Sequence, residues 1–193
     1  MATETTKPSL DREAVRWYVM RCHNMAYKKT RASLEAKQLE YYVPETIQMV
    51  VEKGKKVKRM HPVFQDLFFV HSSYNELMGL LKVNALPLIF YFSHTSHIQN
   101  DALWIKDKEM HSFMKALSCV DNNPTVRPFG EINFKKGDYI RVVDGPAQGI
   151  EGYFVQIKRG QKKQLVIALS NLITVNLALG KDDLIDIVER NDE

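Results

Sequence analysis

Residues Phe134–Lys158 read FKKGDYIRVVDGPAQGIEGYFVQIK, and three of its four glycines, with one proline, interrupt a run otherwise rich in strand-forming residues. Gly145, Pro146, Gly149 and Gly152 stand where a backbone turns sharply, while DYIRVV before them and IEGYFVQIK after them favour extended chain. The pattern predicts strand, tight loop, strand. Downstream, QLVIALS, LITVNLA and DLIDIV add three more short strands. Five strands in about 60 residues suit a small closed barrel, expected over residues 131–190. The basic run KRGQKK (Lys158–Lys163) reads as a solvated turn.

Upstream of this region, SCVDNNPTVRPFG (118–130) has two prolines and an Asn pair, the composition of a linker. Before it, residues 14–117 alternate strand and helix signals behind a polar tail, 1–13. AVRWYVMRC reads as a strand with Val15, Trp17, Val19 and Arg21 on one face and Arg16, Tyr18 and Met20 on the other. A helix follows, its apolar positions at Tyr27, Thr30, Leu34 and Tyr41 and its basic side at Lys28, Lys29, Arg31 and Lys37. YYVPETIQMVVE and KVKRMHPVF read as a hairpin turning at Gly54. LFFVHS and LPLIFYF are apolar without alternation, the mark of strands covered on both faces. Between these two strands, Ser73 and Glu76 have the spacing of a capping box opening a short helix. A last helix carries Met110, Phe113, Met114 and Leu117 as one apolar stripe and closes the first domain.

The chain has 193 residues, 45% hydrophobic and 26% charged, which fits folded protein of one or two small domains. Residues 1–130 hold 18 basic and 13 acidic side chains and residues 131–193 hold 9 and 10, giving +5 and −1. That excess permits contact with nucleic acid without requiring it. Cys22 and Cys119 are far apart with no metal-like spacing, so buried thiols in a reducing compartment are expected. No signal peptide or membrane-length apolar run is present, and a cytoplasmic location is expected. His94, His97 and His111 lack carboxylates or cysteines to complete a metal set, and no cofactor is expected. The phosphate-loop, nucleophile-elbow and zinc-protease motifs are also missing, so no enzymatic activity is expected.

The opening stretch closely resembles the KOW motif, with Gly137, Asp138, Gly145, Pro146, Gly149 and Gly152 at its positions. WYVMRCHNMAYKKTRASLE, YYVPE and FQDLFFV resemble the opening of a NusG N-terminal domain. Together they identify a resemblance to NusG-family transcription factors, running from about Arg16 to Val188. The implied fold is α+β: a ferredoxin-like α/β sandwich followed by an SH3-like β-barrel. Gln65, Asp66 and Leu67 replace the proline, glycine and tyrosine of the family's F-P-G-Y stretch. WIKDKEMHSFM is similar to a segment of the UpxY group of Bacteroides antiterminators, which act on capsular polysaccharide operons.

The resemblance implies a monomeric, non-enzymatic factor of transcription elongation and antitermination. Its N-terminal domain would bind the β′ clamp helices of RNA polymerase, reach toward the β subunit and suppress pausing and premature termination. Trp17, Tyr18, Phe64, Leu67 and Phe69 are the implied groove residues, although the same side chains would equally serve as core. Two basic sets, Lys28, Lys29 and Arg31 with Lys53, Lys55, Lys56, Lys58 and Arg59, are candidates for contact with DNA or nascent RNA. Ribosomal protein S10 or Rho is the implied partner of the KOW domain. Some family members fold that domain as a helical hairpin, but the β-branched runs LVIALS and LITVNL favour strands here. A general housekeeping NusG and a KOW-type RNA-binding ribosomal protein are the rival readings.

Overall fold

The computed structural model describes residues 11–23, 26–92, 102–119, 125–128, 138–145, 147–156, 163–169, 173–178 and 185–189. Its contacts divide the chain into two units, residues 1–43 with 65–104 and residues 44–64 with 105–193.

The first unit is built on strand β1 (Val15–Cys22). Helix α1 (Tyr27–Ala36) and strand β2 (Glu40–Tyr42) follow. Strand β5 (Leu67–Ser73), helix α2 (Tyr74–Lys82) and strand β6 (Leu88–Phe90) come after the insertion of a hairpin, described below. The sheet order is β2-β5-β1-β6, with the short strand β7 (Trp104–Ile105) also pairing with β1. All the pairings of β1 with β5 and β6 and of β2 with β5 are antiparallel. The βαββαβ connection with the first and third main strands central is the split arrangement of ferredoxin-like folds. The N-terminal α/β fold is therefore the one the resemblance implies.

Both faces of β1 and β5 are covered, as their unbroken apolar runs require. Toward the helices, Tyr18, Met20, Phe68, Val70 and Phe90 pack with Leu34 of α1 and Leu77 of α2. On the other face, Trp17, Val19, Leu67 and Phe69 are buried as well. Helix α2 starts where the sequence marks it. Ser73 Oγ accepts the Glu76 N–H at 3.2 Å, and the Glu76 carboxylate takes the Ser72 hydroxyl.

The second unit contains the hairpin of β3 (Glu45–Glu52) and β4 (Lys55–Pro62), which forms a two-stranded sheet of its own. Its turn residues Lys53 and Gly54 have φ of 48° and 77°. Positive φ at both central positions suits the twist of a two-residue hairpin loop. The unit continues with helix α3 (Asp107–Ser118) and strands β8 (Thr125–Pro128), β9 (Tyr139–Val142), β10 (Glu151–Gln156), β11 (Lys163–Leu169), β12 (Ile173–Ala178) and β13 (Ile185–Glu189). Helix α3 buries Met110, Phe113 and Ala116 and packs against β11 and β12.

The closed SH3-like barrel expected for residues 131–190 is not formed. The five expected strands are present, but they make an open sheet in the order β13-β9-β10-β11-β12-β8. A sixth strand, β8, comes from the segment read as a linker and occupies the outer edge of β12. Each strand has two edges, and those of β12 are taken by β11 and β8; among the described residues β13 pairs with β9 alone. Among the described residues no pairing joins β13 to β8. The latter is four residues long and ends in Pro128, which has no N–H to offer a further strand.

No helix among the described residues is long and apolar enough to cross a membrane. Cys22 and Cys119 are buried free thiols.

Two glycines give opposite expectations. A Cβ at Gly152 would lie 2.7 Å from the Val166 carbonyl oxygen, across the β10–β11 pairing. Gly152→Ala should destabilise the C-terminal sheet by about 1–3 kcal/mol through overpacking. Gly79, inside α2, has open space around its Cβ position. Gly79→Ala should stabilise the first unit by about 0.5–1 kcal/mol. Calorimetric unfolding of each variant against the parent chain checks both signs.

Candidate functional site

The register of β1 sorts the expected groove residues by face. Trp17 lies opposite His71, Val19 opposite Phe69 and Arg21 opposite Leu67, so these six share one side of the sheet. Arg21 also lies opposite Ile89 of β6, which puts Ile89 on that side. Trp17 stacks on the His71 ring with centroids 4.7 Å apart, and His71 Nδ1 stands 2.6 Å from Glu40 Oε2. The interior of this face is closed, Trp17 being 3% exposed and Phe69 fully buried. Its end is open, with Ile89 43% exposed.

At that open end, Arg21 Nε and Nη2 donate to Asp66 Oδ2 at 2.8 and 2.5 Å. The hydrogen bond to Asp66, with the attraction of its charge, raises the Arg21 pKa above its ordinary value. The Asp66 carbonyl accepts the Cys22 N–H at 2.8 Å, and the Gln65 carbonyl takes the Cys22 thiol. The departure from the family's F-P-G-Y stretch therefore makes an ion pair at the rim of the sheet.

Tyr18 is not with the others. It points to the helix side, its ring 5.6 Å from Phe90 and 6.2 Å from Tyr74, and burial pushes its phenol pKa up. The helix-side core accounts for it. Phe64 is half-buried just after the hairpin. Sequence reasoning passed over Arg21, Asp66 and Ile89 as rim residues. The uniform run LPLIFYF hides the alternation of β6, in which Leu88 and Phe90 are buried and Ile89 is not.

The basic candidates divide in the same way. Lys28 and Lys29 are exposed on α1. Arg31 is half-buried and donates to the phenol oxygens of Tyr27 at 2.9 Å and Tyr41 at 3.1 Å. Burial alone would lower its pKa, but the hydrogen bonds to Tyr41 and Tyr27 outweigh it and the shift is upward. Arg31 thus braces α1 against β2. Lys53, Lys55, Lys56, Lys58 and Arg59 are all exposed on the β3–β4 hairpin.

In the glycine-rich loop between β9 and β10, Gly145 and Gly149 have φ of 91° and 81°, where a Cβ would be strained. The Gly149 N–H donates to Val142 O at 2.7 Å, closing the loop. Asp138 is half-buried before β9; Gly137 and Pro146 lie outside the described residues. Lys115 of α3 donates to the Gln148 carbonyl of the same loop.

Glu151, at the start of β10, has a side chain only 4% exposed. Arg141 Nε donates to its Oε1 at 2.7 Å, and Lys108 Nζ and Arg141 Nη2 form ion pairs with Oε2 and Oε1 at 2.8 and 2.6 Å. Burial opposes ionisation of this carboxyl, but the bonds from Lys108 and Arg141 prevail and its pKa lies below the ordinary carboxylate value. It forms part of a cavity of about 230 Å³ lined also by Lys106, Ser112, Tyr139 and Tyr153. Burial, then the charge of Glu151, pushes the Tyr139 phenol up to about 12.

Among the described residues no group of three or more His, Cys, Asp or Glu side chains could hold a metal ion. His111 is exposed on α3, and His94 and His97 lie outside the described residues. What the first unit exposes is the rim of a two-sided antiparallel sheet, where Ile89 stands beside the Arg21–Asp66 ion pair.

Comparison with known proteins gives the chain its family. Residues 15–114, 100 of the 193, match the NusG family, described as transcription termination factor nusG. The chain belongs to the NusG family, whose members are non-catalytic regulators of transcription that interact with RNA polymerase. A solved structure described as domain interaction in Thermotoga maritima NusG is similar at 15% identity with a TM-score of 0.42, covering 91% of this chain and 98% of that one. None of the curated proteins compared with the chain matches it.

The Glu151 cluster sets a pH dependence. A carboxyl whose folded pKa is depressed contributes stability that is fully present above its unfolded pKa, about 4.3, and is lost as pH falls through the folded value. Glu151→Gln should cost the C-terminal unit about 2 kcal/mol at pH 7, the scale of charge-assisted hydrogen bonds, and progressively less below pH 4. Hydrogen exchange of the β9 and β10 amides in parent and variant at the two pH values measures it.

Proposed function

We propose that this chain is a NusG-type antitermination factor that binds the β′ clamp helices of RNA polymerase through the face of its first sheet bearing Trp17, Leu67 and Phe69. Binding begins at the open rim of Ile89, Arg21 and Asp66. It suppresses pausing and premature termination, and it serves particular operons of the capsular polysaccharide type. The observation that carries this reading is the NusG-family match across the N-terminal segment, together with an apolar sheet face that opens at one end. Apolar side chains held on a rigid sheet give a helical partner contact area at small entropic cost.

The C-terminal sheet supplies a second contact, with ribosomal protein S10 or Rho. The glycine-rich loop between β9 and β10, with Gly145 and Gly149 at positive φ, is the feature that supports this role. The family match favours polymerase over ribosomal RNA as the primary partner.

Titration of the full chain against purified core RNA polymerase tests the proposal. The parent chain should bind, and Ile89→Asp should weaken binding about tenfold, the effect of an unpaired charge desolvated at the rim of the contact. Trp17→Ala should do the same provided its circular dichroism is unchanged. Absence of parental binding would overturn the polymerase reading. Occupancy of transcribed genes in general, mapped by chromatin precipitation, would replace operon specificity with a housekeeping role.

A further inference from the structure

The open C-terminal sheet ends in two edge strands of different character, β8 and β13. The β8 edge is blunted, being four residues long and closed by Pro128, which has no N–H to give an added strand. Strand β13 contains no proline, glycine or lysine, and among the described residues it pairs with β9 alone. Its register assigns its faces. Ile185 lies opposite Val142 and Ile187 opposite Ile140, so these four share one face, while Asp186 lies opposite Arg141 on the other. Val142 and Ile140 are at most 1% exposed, but Ile185 is 37% and Ile187 48% exposed. The apolar layer of the sheet therefore loses its cover at its last strand. On the second face Arg141 is engaged by Glu151, and no ion pair holds Asp186 among the described residues. Residues 181–193 hold six acidic and two basic side chains, a net −4.

We infer that the outer edge of β13 is a docking site for a basic, extended peptide segment of a partner protein, which adds to the sheet as a further strand. Side chains of a strand alternate between faces. A segment with an aliphatic residue at every second position therefore covers Ile185 and Ile187, while lysines or arginines at the positions between stand on the side of Asp186. Val188 falls at the register shift between Ile187 and Glu189, so the regular part of the edge is short and ends there. A short edge suffices for a peptide, because main-chain hydrogen bonds supply the affinity of an added strand and the alternate side chains its specificity. Other occupants meet a charge of the wrong sign. A second copy would bring two acidic strands edge to edge, and nucleic acid or an anionic lipid surface would set phosphates against Asp186.

The site requires no polymerase, and neither does its test, so it stands or falls separately from the proposed function. The isotopically labelled full chain is titrated with the peptide Lys-Val-Lys-Val-Lys-Val-Lys to about 1 mM, enough to detect millimolar affinity, and amide shifts and hydrogen exchange are read by NMR. Shifts and slowed exchange are expected in β13 and not in β8. The counterpart peptide with Glu in place of Lys should bind about tenfold more weakly, and Asp186→Lys should weaken the lysine peptide about fivefold, as cross-strand attraction becomes repulsion. An added strand bonds through one edge only. Of two lysine peptides N-methylated at alternate residues, on one edge or the other, one should therefore lose binding and the other keep it. No shift over the titration, equal binding of the Glu counterpart, equal behaviour of the two N-methylated peptides, or protection in β8 instead of β13 would each overturn the inference. So would an Asp186→Lys chain that binds like the parent, or a dimer of the chain alone in sedimentation with its β13 amides already protected.

Discussion

Strand β1 can exist here only with hydrogen-bonding partners on both edges and apolar cover on both faces. It carries Trp17 and Val19 on one side and Tyr18 and Met20 on the other, and none of the four is more than 3% exposed. A lone strand of that composition would have to leave either its amides or its side chains unsatisfied. Pairing with β5 over seven residues and with β6 over three meets the first need. The two helices meet the second on the Tyr18 side. The same register sorts the side chains by face, because a slip of one residue would exchange Trp17 and Phe69 for Tyr18 and Phe68. Arg21–Asp66, across the end of β1, is an additional constraint on that register.

Much of the N-terminal fold is legible in the sequence because its signals are local. Ser73 marks the start of α2, Gly54 marks the hairpin turn, and the unbroken run of β5 marks a strand buried twice. The glycine-rich loop is equally legible, and each glycine has its own reason. Gly145 and Gly149 need positive φ, whereas Gly152 needs the absence of a Cβ beside the neighbouring strand. The candidate site was half legible. Trp17, Leu67 and Phe69 do share a face, but Tyr18 differs from Trp17 by one position and therefore by a whole side of the sheet.

The remainder depends on contacts between residues far apart in sequence, which no local pattern encodes. Asn and Pro around Thr125–Pro128 have the composition of a linker, yet four residues suffice for an edge strand when β12 offers a free edge. Closure of the sheet is the same kind of question. Strand composition predicts five strands correctly, but whether the first and last meet is settled by what occupies each edge. Arg31 illustrates the point at a single residue. In sequence it stands with Lys28 and Lys29 as part of a basic helix face, and only the fold places two phenol oxygens on its guanidinium.

An open sheet has a further need that a closed barrel does not, since its apolar face must be covered by something other than itself. Helix α3 supplies cover, laying Met110, Phe113 and Ala116 on β11 and β12. Lysines near its two ends fasten it, Lys108 to the Glu151 carboxylate and Lys115 to the carbonyl of Gln148. Glu151 makes this attachment specific. A buried carboxylate is tolerable only while its donors are present, and one of them belongs to the helix while Arg141 belongs to the neighbouring strand. Residues 107–114 lie within the NusG-family segment, so the family's N-terminal region and the glycine-rich sheet share a structural element. A division of the chain at residues 118–130 would separate Glu151 from Lys108 and strip the apolar stripe from the strands it covers. The helix that the sequence assigns to the end of one domain is, by its contacts, part of the other.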